Sequence, residues 1–129
     1  MAEVFGDDGL VDRCHFKQAI AAVMGLAHEA NRYLDEKEPW KVIKENRERA
    51  GLSLYVVIGV IVRLKTMMYP FLPFSSQKVH TFLGYEGNVE DYGIQTELPS
   101  PGQQLVKPSP LFTKLDPEIA EQERARLGQ

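Results

Sequence analysis

One segment of the chain places an aromatic side chain next to a proline, a residue whose ring fixes its own φ. Residues 31–40 end in Pro39-Trp40, and Trp40 is the only tryptophan of the 129 residues. Because an indole ring has a large flat face, Trp40 is well placed to stack on another flat group. The alternative is that Trp40 packs into the core, as an aromatic at the start of a helix often does. The two interpretations predict opposite exposures for the ring.

Polar and basic side chains flank this pair. Asn31 lies beside an apolar stripe, where an amide more often ties down a neighbouring turn than binds a ligand. Arg32, the next residue, points roughly 100° away from Asn31 around the helix axis, and is either a solvated cation or a ligand contact. Lys41 and Lys44 are three residues apart and would share one helix face, from which they can reach a polyanion. Intervening glutamates reduce the local net charge to about +1, so a solvated mixed-charge face is an equally good interpretation.

The chain lacks the patterns that carry enzyme chemistry. His15, His28 and His80 are widely separated, and neither they nor Cys14 have the spacing of a zinc or iron site. Glycine-rich phosphate-binding motifs and the nucleophile elbow are absent from the sequence. We therefore expect no catalytic residue, no metal and no cofactor in this chain.

Composition limits the class of protein. With 129 residues and 43% apolar content, the chain can form one compact domain. Its net charge of −3 means that any contact with nucleic acid must be local. The single cysteine fits a reducing compartment, for which we choose the cytoplasm. No signal pattern opens the chain, and the longest apolar run, residues 54–62, is about half the length that spans a bilayer. We expect a soluble protein that does not interact with a membrane.

Apolar periodicity predicts the helix that leads to the tryptophan. Asp7 or Asp8 is its expected N-cap, and Pro39 is expected to stop it. A second, short helix should begin at Pro39 and run to about Glu45. The apolar stripe of the first helix recurs at spacings of four and three, which predicts about five turns or more. Its members are Phe16, Ile20, Val23, Ala27, Ala30 and Leu34.

A third helix is predicted over residues 52–72. Its β-branched run could form a buried strand, but the apolar pattern continues past Arg63 and Lys65 for about five turns. A helix that is apolar nearly all round should lie at the centre of a bundle, where Gly59 would allow another helix to approach closely. Pro70 and Pro73 are expected to close it.

The C-terminal half predicts a fourth helix, a long extended segment and a last helix. The fourth helix should span about 74–83 and end in a left-handed cap at Gly84. Residues 85–115 lack a sustained period, apart from a short helical turn near residues 88–92. This segment is expected to pack onto the bundle through Leu98, Leu105, Val106, Leu111 and Phe112. Asp116-Pro117-Glu118 provides the cap, the first-turn proline and the acid of the last helix.

The predicted fold class is therefore all-α, in a single domain of residues 1–129. Its parts are a bundle of about four to five helices over residues 8–84, a wrapping segment over 85–115 and a terminal helix over about 116–127.

Three motifs occur in order along the chain. The first is Ala30-Asn31-Arg32-Tyr33 followed by Pro39-Trp40, on a long helix that leads into a short one. The second is Tyr69-Pro70-Phe71-Leu72-Pro73, where a helix ends. The third covers residues 102–116 and follows the pattern G-x-x-L-x-x-P-x-P-L-F-x-K/R-I/L-D/E. Together they resemble the α-helical anticodon-binding domain of methionyl-tRNA synthetases, over roughly residues 10–116.

The resemblance implies that the chain is part of a larger class I synthetase. The catalytic domain, which binds ATP and methionine, would lie upstream, and its HIGH and KMSKS signatures are absent from this sequence. This chain is therefore not expected to activate methionine on its own. Its expected partners are the anticodon stem-loop of tRNA(Met) and the enzyme's own catalytic domain.

The resemblance also implies roles for individual residues. In the family the Pro-Trp pair meets the CAU anticodon and the indole stacks on a base, which implies these roles for Pro39 and Trp40. Asn31 and Arg32 are candidate contacts beside them, and Lys41 and Lys44 are candidates for the tRNA backbone. The family also uses an Asn and an Arg on an earlier helix, after which this chain begins. It is thus expected to hold one part of an anticodon reader.

Other classes of protein remain open. A helical interaction or scaffold domain would dock a partner through Leu111 and Phe112 instead of packing them on its own bundle. Synthetases for leucine, isoleucine, valine and cysteine have similar bundles, but the Pro-Trp corner and the P-x-P-L-F tail favour methionine. An enzyme in its own right would need a pocket with converging titratable groups. The anticodon hypothesis requires Trp40 to be at least partly exposed near polar or basic groups.

Overall fold

The computed structural model describes residues 1, 3–6 and 8–128. These residues contain five α-helices, one short 3-10 helix and no strand, which confirms the predicted all-α fold class. The helices are α1 (Phe16–Lys37), α2 (Pro39–Val42), α3 (Arg47–Met68), α4 (Pro73–Phe82) and α5 (Pro117–Leu127), and the 3-10 helix (Val89–Tyr92) lies between the last two.

The first helix begins later than the sequence pattern predicted. Asp8 lies in a turn, and His15 occupies the N-cap position of α1, so the prediction of Asp8 as N-cap is wrong. Asp7 lies outside the described residues. Val4 and Leu10 are buried in one cluster with residues of α1 and α3. Burial of these two side chains requires the N-terminal segment to fold back in turns instead of extending the helix.

The buried face of α1 differs from the predicted stripe. Ala19 and Val23 are buried, whereas Phe16 and Ile20 are 50% and 40% exposed. Of the predicted stripe, Val23 is placed correctly, while Phe16 and Ile20 are not. Because apolar residues cover more than one stripe of this helix, periodicity alone cannot say which stripe meets the core. The packing partner α3 and the folded N-terminal segment decide it.

The third helix is the centre of the bundle, as predicted. It contacts α1, α2 and α4, and its N-cap Asn46 accepts a hydrogen bond from the Arg49 amide at 2.9 Å. Its length and a mean hydropathy of 1.6 would also suit a membrane span. The core helix of a soluble protein has the same properties, and the contacts of α3 with three other helices assign it to the core.

Gly59 serves a different purpose from the predicted helix contact. A Cβ atom at this position would collide with the side chain of Leu98, which belongs to the segment after α4. The absence of a side chain on the central helix therefore makes room for the extended segment instead of for a second helix.

The end of α4 matches the prediction. Gly84 has φ 81°, in the left-handed region, and follows the C-cap Leu83. The Gly84 amide donates to the Thr81 carbonyl at 3.0 Å and the Tyr85 amide to the His80 carbonyl at 3.2 Å. This pair of hydrogen bonds is the Schellman motif that a glycine at this position favours.

The segment between α4 and α5 lies along the bundle through polar as well as apolar contacts. The Val106 amide donates to the Phe82 carbonyl at 2.9 Å, and the Tyr55 hydroxyl donates to the Pro99 carbonyl at 3.1 Å. Leu111 is half-buried against the bundle, whereas Phe112 remains 65% exposed. The predicted packing is therefore only partial at the apolar positions, which are Leu98, Leu105, Val106, Leu111 and Phe112. The 3-10 helix lies within the predicted short turn, and Asn88 and Asp91 form its capping box.

The last helix has the predicted cap. The Asp116 carboxylate accepts a hydrogen bond from the Glu118 amide at 3.1 Å, and the proline at position 117 opens the helix. Every residue of α5 is exposed, so this helix adds no buried side chain to the core.

Candidate functional site

The tryptophan lies at a corner where α1 ends and α2 begins. Glu38 joins the two helices, since its amide donates to the Leu34 carbonyl at 2.9 Å. Its carbonyl accepts from the amides of Lys41 at 2.8 Å and Val42 at 3.1 Å. Pro39 occupies the first position of α2, as predicted, where a missing amide hydrogen removes no helical bond. One residue thus separates the two helices.

The corner buries one side of α2 and exposes the other. Pro39 is buried, and α2 packs against α3. Trp40, the next residue, is 54% exposed. The alternative that Trp40 packs into the core is therefore wrong, and the exposure required for stacking on an external ring is met.

The two polar candidates on α1 are both exposed. Arg32 pairs with Glu29 and lies 3.8 Å from Glu36, measured from its Nε to the Glu36 Oε1. Asn31 forms no side-chain hydrogen bond within the described part of the chain, although sequence reasoning favoured a structural tie for this amide. Asn31 is therefore free to meet a ligand, whereas Arg32 must first exchange its carboxylate partners.

The two lysines differ in their surroundings. The Lys41 Nζ lies 2.6 Å from the Glu38 Oε1, in a pair whose side chains are 68% and 42% exposed. α2 ends at Val42 instead of Glu45, so Lys44 lies in the following turn and not on a shared helix face. Lys44 is exposed and forms no ion pair among residues 1, 3–6 and 8–128. The corner brings Pro39, Trp40 and Lys41 together and leaves Lys44 just beyond them.

The motif residues of α1 also line a groove between α1 and α3. Ala30, Arg32 and Tyr33 form part of its wall, and Val56 and Val60 of α3 face them across a volume of about 270 Å³. Tyr33 is half-buried in this wall. The groove opens beside the carboxylates that hold Arg32.

A second polar cluster was missed by sequence reasoning. Lys65 and His80 are 3% and 0% exposed, and the Lys65 Nζ lies 2.7 Å from the His80 Nδ1 and 2.6 Å from the Gln95 Oε1. The ammonium also lies 4.4 Å from the centroid of the Tyr85 ring, which stacks on His80. We call this group, together with Tyr92, the Lys65 cluster. No sequence signal joins Lys65 to the other members, because they lie 15 to 30 residues after it and meet it only in the fold.

The hydrogen bonds of the Lys65 cluster fix its protonation. The Lys65 ammonium donates to the His80 Nδ1, so the His80 Nε2 carries the ring proton and donates to the Glu86 carbonyl at 3.2 Å. Burial lowers the pKa of Lys65 to about 8 and also lowers the pKa of His80. These groups tie α3 and α4 to the wrapping segment. Among the described residues, no three His, Cys, Asp or Glu side chains come together to hold a metal ion.

The fold and the site define the class as an all-α bundle that carries an exposed Pro-Trp corner. A family model described as the anticodon binding domain of methionyl tRNA ligase matches residues 3–129. The chain belongs to this family.

Curated relatives agree with this assignment. A methionine–tRNA ligase of Dehalococcoides mccartyi is 44% identical over 98% of this chain, and one of Chloroflexus aurantiacus is 39% identical over 97%. A methionine–tRNA ligase of Roseiflexus sp. is 37% identical over 92% of the chain. The aligned regions cover 23%, 25% and 24% of these relatives, so the chain spans about a quarter of their length.

Proposed function

We propose that this chain is the anticodon-binding part of a methionine–tRNA ligase and recognises the CAU anticodon of tRNA(Met) for aminoacylation. The observation that carries the proposal is the 54% exposure of Trp40 on a corner anchored by the buried Pro39. Sequence-specific binding of RNA targets unstacked loop bases, and stacking a base on an aromatic ring is worth about 1–3 kcal/mol. Trp40 supplies such a ring at low ordering cost, because its backbone is already held in α2 behind the φ-restricted Pro39.

Side chains around the corner supply the remaining contacts. Asn31, with its unengaged amide, is suited to hydrogen-bond a base edge. Lys44 contacts a phosphate directly, whereas Arg32 and Lys41 exchange glutamate partners for phosphates. Exposed ion pairs of this kind contribute at most about 1 kcal/mol, so the exchange costs little.

The rest of the ligase completes the reaction. Its catalytic domain binds ATP and methionine, and this chain contributes tRNA binding without a cofactor of its own. The two parts work on opposite ends of one tRNA, in the cytoplasm.

Binding of a CAU anticodon stem-loop, followed by tryptophan fluorescence, tests the proposal. Since Trp40 is the only tryptophan, any quenching reports on the corner itself. We expect strong quenching by the CAU stem-loop and weaker binding of a stem-loop that differs only in the first anticodon base. Equal quenching by both RNAs, or by neither, would contradict specific recognition by this chain.

A further inference from the structure

The corner depends on an unusual backbone conformation. Glu38 has φ 41° and ψ 54°, in the left-handed region, and only Cys14 shares a positive φ among the non-glycine residues described. Side chains with a Cβ adopt this region at a cost, which glycine avoids. Glutamate has no special preference for it. The surrounding structure therefore enforces the conformation.

Both hydrogen-bonding groups of the Glu38 backbone are engaged in this geometry. Its amide ends α1 on the Leu34 carbonyl, and its carbonyl opens α2 by accepting from Lys41 and Val42. A right-handed residue here would continue α1 into Pro39, whose ring clashes with the carbonyl four residues before it. The left-handed turn at Glu38 is thus the step that lets a new helix begin without a loop.

The conformation of this one residue sets the direction of α2. Because no loop lies between the helices, a change in φ at position 38 rotates α2 relative to α1 as a unit. Pro39 points into the bundle and Trp40 points out in the observed direction. Another direction would turn the indole toward the protein or away from Asn31 and Lys44.

We propose that Glu38 is a positioning residue, whose left-handed backbone aims the Trp40 ring at the RNA base. This inference rests on the proposed function of the corner. The Glu38 carboxylate has a lesser part, because its pair with Lys41 is exposed and screened by solvent.

Three substitutions separate the backbone from the carboxylate. Glu38→Gly favours the left-handed region and removes the side chain, Glu38→Gln keeps the shape and removes the charge, and Glu38→Val disfavours the region through its β-branched side chain. We expect the Gly and Gln variants to bind the CAU stem-loop within about threefold of the parent chain. The Val variant is expected to bind more weakly than this threefold range allows, because its β-branched side chain adds crowding to a conformation that Glu38 already adopts at a cost.

A second measurement reports the exposure and surroundings of the Trp40 ring in the absence of RNA. Acrylamide quenching and near-ultraviolet circular dichroism of the sole tryptophan report its exposure and surroundings in each variant. The Val variant alone should differ from the parent, while far-ultraviolet circular dichroism shows the same helix content. If Glu38→Val does not fold, Glu38→Thr replaces it, because its side chain is also β-branched but polar.

The outcomes are distinct. A Val or Thr variant with parental quenching and affinity overturns the positioning role, and so does a Gln variant as weak as the Val variant. Failure of the parent chain to bind the stem-loop refutes the proposed function, whereas the ring measurement still decides whether Glu38 aims Trp40.

Discussion

The corner and the Lys65 cluster both combine aromatic rings with lysines, but the two regions serve different purposes. In the Lys65 cluster, the rings of Tyr85 and Tyr92 lie against the protein's own ammonium group, at 4.4 and 5.6 Å from the ring centroids. At the corner, Trp40 is exposed and its face is available to an outside partner. Aromatic rings therefore stabilise the fold where they cover a buried cation, and offer a binding surface where the backbone holds them outward.

The largest expected effect comes from removing the centre of the buried cluster. His80→Ala should lower the free energy of unfolding by about 3–5 kcal/mol, because it opens a cavity and leaves the Lys65 ammonium without one acceptor. Urea denaturation at neutral pH measures this change. His28→Ala, at an exposed position of α1, is the matched control and should cost less than about 0.5 kcal/mol. Similar losses in both variants would show that the cluster does not hold the fold.

Removing the exposed Trp40 ring should weaken RNA binding and leave the stability of the fold nearly unchanged. Trp40→Ala is expected to weaken binding of the CAU stem-loop by about 1–3 kcal/mol, which is roughly 5- to 150-fold. Its free energy of unfolding should change little, since half of the ring is already in water. Ile43→Ala removes a side chain of similar exposure, 48%, from the same corner. Comparable losses of affinity in both variants, measured by fluorescence anisotropy of a labelled RNA, would argue against stacking.

The buried lysine predicts a dependence of stability on pH. The folded-state pKa of about 8 is below the ordinary 10.5, so the unfolded chain binds more protons between these values and stability rises with pH. The gain should be about 1.6 kcal/mol between pH 8 and about 9.5, because the folded lysine is still half protonated at pH 8 and the slope is below its full 1.36 kcal/mol per pH unit there. The lowered pKa of His80 acts in the same direction, through a loss of stability as pH falls below 6.5.

Lys65→Met isolates the lysine contribution in this pH series. The free energy of unfolding of this variant, taken from denaturation curves, should not change between pH 8 and about 9.5, apart from the effect of titrating residues that both proteins share. The series stops there because burial raises the pKa of Tyr85, which reverses the slope at higher pH. If the stability of the parent chain falls over this pH range, burial does not lower the pKa of Lys65.

The smallest expected effect separates the two lysines of the corner. Lys44→Ala should reduce the salt dependence of stem-loop binding by about 0.7 in the slope of log K against log salt concentration, which is the value for one phosphate contact of a single strand. Lys41→Ala should reduce it less, because Glu38 already balances that charge. Titrations at several salt concentrations measure both slopes. Equal slopes for the two variants would mean that RNA displaces Glu38 completely.

Local signals in the sequence predicted three helix ends correctly, whereas α2 ends before Glu45 and α3 spans Arg47–Met68 instead of 52–72. Pro39 begins α2, Gly84 caps α4 and Asp116 caps α5, because each choice depends on the backbone of a few consecutive residues. The start of α1 was missed, since burial of Val4 and Leu10 against distant residues outweighed a good N-cap at Asp8. A close approach at Gly59 was predicted correctly, but its partner is Leu98 of the extended segment and not a helix. The sequence does not specify which element packs against this glycine.

The sequence by itself determined that the chain is all-α, that a proline restarts the helix at Trp40, and which family the three motifs belong to. These properties depend on neighbouring residues and on their order along the chain. Only the tertiary structure decided that Trp40 faces solvent, that Glu38 adopts a left-handed turn, and that Lys65 and His80 meet in the interior. Exposure and long-range contacts depend on how helices far apart in sequence share one core, so no local pattern can specify them.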